Sequence, residues 1–157
     1  MLTKAFFKNP SAASQGRRIL AEVCKNCRAE EATLWLISRD GNSMEGTLNQ
    51  GATPHILENA SVPVSQSQTG LVAATGIGLC LGPEAKFNPT VDQSTGLRTR
   101  AMVAAPFRHE SEIAGVLTAI NPIQREQFDA TDLEELSWRT HILELLVEDL
   151  AKSLPHL

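Results

Sequence analysis

An α+β layered domain on an antiparallel sheet is what this 157-residue chain predicts, from three observations. Strand-like runs are bracketed by helix-like ones. Two consecutive runs, "AMVAAPF" and "IAGVLTAIN", are apolar on both faces, so the sheet is covered on each side. A long amphipathic pattern follows them from "FDATDLEEL" to about Lys152.

The elements follow in order. Ile19, Leu20, Val23, Cys24 and Cys27 recur at spacings of three and four, making one apolar stripe of a helix over Ser11 to Arg28 that Asn9-Pro10-Ser11 would start. "ATLWLIS" switches to β-rich sequence, Asp40-Gly41 marks a hairpin turn, and Ser43 to Asn49 is the returning strand. Gln50 to Gln66 is rich in Gly, Pro, Ser and Asn; it reads as loop with a short edge strand at "SVPV". "TGLVAATG" fits two turns of helix capped by Thr69 and stopped by Gly76, and "GLCLG" a short strand. The two doubly apolar strands are joined by a four-residue polar turn, His109 to Glu112. In the last helix, Thr131 with Glu134 forms a capping-box pattern, and Asp132 suits the positive helix N-terminus. Leu136, Leu143 and Leu150 repeat every seven residues beside Leu133 and Val147, while Trp138, Ile142, Leu145 and Leu146 widen the apolar surface. Either the whole surface packs on the sheet, or one stripe does so and the other pairs with a second subunit.

Length near the mode for one domain predicts a single unit over 1–157, with a core spanning about residues 11–152. A net charge of -4 and scattered basic residues argue against nucleic acid or an anionic membrane as partner. No apolar run is long enough to span a bilayer and the first residues lack a signal-peptide core, which predicts a cytoplasmic location. Three cysteines, two of them three apart, do not make a secreted disulfide framework. Cys24 and Cys27 fall on the apolar helix stripe with no second pair or close histidine to complete four zinc ligands, so they read as buried small hydrophobes.

Four stretches stand in order from about Arg18 to Lys152: "AEEATLWLISRDGNSMEG", "TGLVAATG", "FNPTVDQSTGLRTRAMVAAPF" and "IAGVLTAINP…FDATDLEEL". Together they resemble a GAF domain, the small-molecule-sensing module of cyclic-nucleotide phosphodiesterases, adenylyl cyclases, phytochromes and many bacterial signalling proteins. The resemblance implies a GAF-like (profilin-like) central antiparallel sheet of about six strands. The first and last helices would lie together on one face, and short helices and loops would enclose a ligand pocket on the other. It also implies a non-enzymatic regulatory role, a homodimer through the first and last helices, and an output signalling domain in a longer protein. The third stretch is similar to the cyclic-nucleotide subgroup, which makes cyclic AMP or cyclic GMP the candidate cofactor. Two positions depart from that subgroup. Its Asn-Lys…Phe…Asp-Glu signature matches at Asn121, Phe128 and Asp132, but Pro122 stands at the Lys position, so its structural salt bridge cannot form in the same way, and Leu133 stands at the Glu position. "TLNQGA" replaces an aromatic-acid pair.

The resemblance places Thr95 and Thr99 at hydroxyl positions facing a purine and Asn88 on the pocket wall, under a loop spanning residues 87–100. Phe87 is a lid or an anchor for that loop, and Asp92 caps the turn or meets the ligand. Thr69 sits where exposed helix N–H groups could receive an anion, and Cys80 lies on a short strand beside the expected pocket. Two other readings stay open: a dimerisation scaffold without ligand, and the free methionine-(R)-sulfoxide reductase, an enzyme of this fold that uses three cysteines. For the latter, only Cys80 is expected near the pocket.

Overall fold

The computed structural model describes residues 1–52, 54–87 and 98–153. Helix α1 (Pro10–Cys27) starts as expected, with Pro10 in its first turn and the Asn9 side chain accepting from Ser11 N and Ala12 N. Strands β1 (Ala29–Ile37) and β2 (Ser43–Gln50) form the first hairpin. A one-turn helix α2 (Pro54–Leu57), an edge strand β3 (Ser61–Pro63) and α3 (Gln68–Thr75) then precede β4 (Leu79–Leu81). The second hairpin, β5 (Met102–His109) and β6 (Glu112–Pro122), leads to the long helix α4 (Ala130–Ser153). The described strands form one six-stranded antiparallel sheet in the order β3-β2-β1-β6-β5-β4.

Strand alternation divides the core into two layers. Leu34, Leu36, Val103, Phe107 and Leu117 face α1 and α4, where they meet Leu20, Val23, Leu136, Leu143 and Val147. Trp35, Met44, Met102, Ala104 and Val116 face the other way, toward Leu57, Val62 and Val72. This explains why the central strands are apolar on both sides. The heptad leucines Leu136 and Leu143 are fully buried, and Trp138 and Leu145 on the far side of α4 stay exposed. None of the described helices is long and apolar enough to cross a membrane.

The structure differs from the sequence-based expectation at several points. The cap of α3 is Ser67, whose hydroxyl accepts from Gly70 N at 2.9 Å, so Thr69 lies inside the helix rather than at its cap. The capping box of α4 is formed by Asp129 and Asp132, not Thr131 and Glu134: Asp129 N donates to Asp132 Oδ2 at 2.8 Å and Asp132 N to Asp129 Oδ1 at 3.1 Å. The β5–β6 connection has only two residues, Glu110 and Ser111, both with positive φ (53° and 68°). That is the pattern of a type I′ turn, whose twist matches paired strands. The segment before α1 is also structured: Lys4–Lys8 form a 3₁₀ helix that buries Phe6 and Phe7 against the helix-side core.

Asp132 is also paired where Pro122 removes the usual lysine. Arg125, three residues further on, donates to both Asp132 oxygens at 2.8 and 3.0 Å, stacks over the Phe128 ring, and donates to Cys27 O. One guanidinium thereby joins the end of α1, the β6–α4 loop and the start of α4.

Candidate functional site

A cavity of about 60 Å³ lies on the sheet face away from α1 and α4. Its floor is built from β1, β5 and β6: Thr33 and Trp35, then Met102, then Thr118 and Ile120. Register makes these neighbours, since Thr33 pairs with Thr118, and Ile120 with Met102. The wall is Leu57 and Val62 on one side and Ser67, Gln68 and Thr69 of the α3 start on another, closed by Phe87 and Thr99.

Two glycines let the wall approach. A Cβ on Gly46 would come within 1.7 Å of Leu57 O, and one on Gly70 within 1.9 Å of Val64 O. Both positions therefore need a bare Cα. The first lets α2 sit on β2 and present Leu57; the second seats α3 against the turn before it.

Thr99 is held in place from behind. The Asn121 side chain accepts from Arg100 N at 2.7 Å and donates to Arg98 O at 2.9 Å, gripping the backbone on both sides of Thr99. Asn121 has φ 60°, a left-handed conformation that asparagine tolerates. Arg100 reaches outward to Glu30 at 3.3 Å. Asn121 is thus a positioning residue for the end of the polar segment.

Of the residues singled out in the sequence, Thr69, Phe87 and Thr99 come together on the cavity. Asn88, Asp92 and Thr95 lie outside the described residues. Cys80 is placed elsewhere. It pairs with Val103, a helix-side core residue, and its Sγ donates to Phe128 O at 3.2 Å, while its neighbours Leu79 and Leu81 pack on the cavity side. A three-residue strand has only two faces, and the leucines occupy the inner one.

Thr33 and Thr118 were not among the expected site residues, although a lone hydroxyl inside an apolar strand run is a readable signal. Thr118 Oγ1 accepts from Trp35 Nε1 at 3.2 Å. Thr33 Oγ1 accepts from Asn49 Nδ2 at 2.8 Å, and that amide also donates to the buried carboxylate of Glu31 at 2.8 Å. Glu31 accepts further from Ala52 N and fills the space left open at Gly51, so it secures the β2–α2 connection.

All three cysteines are free thiols. Burial first, and then the nearby Glu31 carboxylate, pushes Cys24 up to about 12; burial, then Asp132 and Glu135, does the same to Cys27. Cys80 is raised more modestly, by burial and then by Asp132 and Asp129. None of the three lines the cavity, so thiolate chemistry there has no nucleophile. Iodoacetamide at pH 8 is expected to label exposed Cys80 ahead of half-buried Cys24 and buried Cys27; comparable labelling of all three would contradict this order. The folded state holds the Cys24 and Cys27 protons more tightly than the unfolded chain. Their contribution to stability is therefore complete below about pH 9 and is lost as pH rises toward about 12. Urea midpoints measured between those values should fall accordingly.

The chain matches the GAF domain family over residues 14–154, and with this fold and cavity it belongs to that family. It is similar to the second GAF domain of DevS from Mycobacterium smegmatis (19% identity, 92% of this chain and 97% of that one, TM-score 0.72). It is similar to a methyl-accepting chemotaxis protein (13% identity, 94% of each chain, TM-score 0.77). The free methionine-R-sulfoxide reductase from Neisseria meningitidis, solved with its substrate, is similar too (17% identity, 96% and 86% coverage, TM-score 0.74). At these identities the likeness is one of fold.

Proposed function

We propose that the chain is a regulatory, non-enzymatic GAF domain that senses a small molecule in the cavity between its sheet and α3, and passes the signal through a helical dimer interface. The observation that carries this reading is the cavity itself, with hydroxyl groups set among apolar side chains and walls seated by Gly46 and Gly70. A route outward exists. Glu58 follows the wall residue Leu57; its carboxylate pairs with Arg17 of α1 and its carbonyl accepts from Lys4 Nζ at 2.6 Å. A ligand that presses on Leu57 therefore acts on α1 through one ion pair, and one that spreads β5 and β6 acts on α4 through Val103 and Phe107.

The dimer surface in this reading is the outer stripe of α4, where Trp138 is 57% and Leu145 53% exposed. The output domain belongs to the longer protein of which such modules form part. Cyclic AMP and cyclic GMP are the first compounds to screen because the polar segment follows the cyclic-nucleotide pattern. They belong in a thermal-shift panel with common metabolites. A true ligand at a hundredfold excess over its Kd adds about 2.7 kcal/mol, roughly 5–10 °C for a domain of this size. No stabilisation by any compound would favour the scaffold reading.

A further inference from the structure

We propose that Thr33 and Thr118 form a hydroxyl pair on the cavity floor that reads an uncharged hydrogen-bond acceptor group, a carbonyl oxygen or unprotonated ring nitrogen, on the ligand; this rests on the ligand-sensing reading above. Proton counting assigns the donors and acceptors. An indole N–H can only donate, so Thr118 Oγ1 is the acceptor in its 3.2 Å contact with Trp35. The Glu31 carboxylate accepts from Asn49 Nδ2, which fixes the amide orientation, so Thr33 Oγ1 is likewise the acceptor at 2.8 Å. Each hydroxyl keeps one hydrogen, and neither donates to any partner among the described residues.

Both threonines are almost fully buried, at 3% and 4% exposure, and both line the cavity. They sit directly opposite each other on β1 and β6, which brings Cβ atoms of such a pair within about 5 Å. The floor therefore presents two adjacent donors whose hydrogens, among the described residues, face the cavity. An unmet buried donor is costly, and an acceptor on the ligand recovers that loss. The described floor residues carry no charge, so a charged group set against them would lose its hydration without a counter-charge. Together these select, at the floor, a neutral acceptor group over a donor and over an anionic group.

Four small probes test this on the full chain, followed by amide chemical-shift titration: pyridine as neutral acceptor, pyrrole as donor of the same shape, benzene as neither, and acetate as charged acceptor. Pyridine is expected to give saturable shifts at Thr33 and Thr118 and to bind roughly fivefold tighter than pyrrole or benzene, the ratio one net hydrogen bond supplies. Thr33→Val and Thr118→Val should each weaken pyridine roughly fivefold and leave benzene unchanged, while Thr33→Ser and Thr118→Ser keep the pyridine preference. If a valine variant does not fold, the serine variants and the wild-type probe series still decide. Equal binding of pyrrole, tighter binding of acetate, or valine variants with undiminished pyridine affinity would overturn the pair. Silence from all four probes would overturn it as well, and the metabolite thermal-shift panel decides separately whether the cavity binds a ligand at all.

Discussion

Asp132→Ala is expected to lower the unfolding free energy by about 3–5 kcal/mol, the usual cost of stripping one partner from a buried ion pair. For a chain of this length that is roughly a 6–20 °C fall in Tm. The size follows from how much converges on one carboxylate. Asp132 accepts two bonds from Arg125 and one from Asp129 N, and its side chain is only 7% exposed. Removing it leaves Arg125 with only the Cys27 carbonyl and the more distant, exposed Asp129 carboxylate at 3.8 Å, at the point where α1, the β6–α4 loop and α4 meet, and removes one half of the helix cap. Thr131→Ala and Glu134→Ala, at the positions of the capping box that the sequence suggests, should each change stability by less than about 0.5 kcal/mol. Urea unfolding of the three variants checks this. Equal losses at Glu134 and Asp132 would move the cap back to the sequence-based position.

If α4 forms the dimer interface proposed above, Trp138→Asp combined with Leu145→Asp is expected to leave a monomer at micromolar concentration. The two side chains lie one heptad apart on the solvent face of α4 and are more than half exposed, so the fold should tolerate the change. In a twofold interface each substitution appears twice. Four carboxylates would enter an apolar contact whose centre is a tryptophan, a residue type that commonly costs at least about 2 kcal/mol when truncated at an interface. The expected weakening of Kd is about a hundredfold or more. Sedimentation equilibrium measures it, with the melting temperature as a check on the monomer fold. A double variant that sediments like the wild type would place any dimer contact elsewhere.

Much of the fold could be read from periodicity. The α1 stripe, the two hairpins and the Leu136/Leu143 heptad stand where apolar spacing puts them, because burial on a layered sheet demands that spacing. Readings that depended on which of two chemically similar residues caps or pairs were harder. Thr131/Glu134 and Asp129/Asp132 are both plausible boxes in sequence. The choice between them rests on Arg125, which reaches Asp132 through a loop whose path no local pattern predicts. The I′ turn at Glu110-Ser111 lacks the Asn-Gly signal, so its two residues looked like part of a longer loop. Cys80 illustrates a limit of proximity arguments: the strand is beside the cavity, but register with Val103 turns its thiol to the opposite face. The floor hydroxyls were legible as isolated polar residues in apolar runs. Their pairing across β1 and β6 was not, since it needs the strand order.

In the proposed function the cavity floored by Thr33, Trp35 and Thr118 receives a small molecule. That binding is tested most directly by titrating the ¹⁵N-labelled chain with the compound that raises Tm most in the thermal-shift panel. The expected result is saturable amide shifts concentrated at Thr33, Thr69, Thr99 and Thr118. Stabilisation accompanied by shifts confined to residues outside the cavity would contradict it.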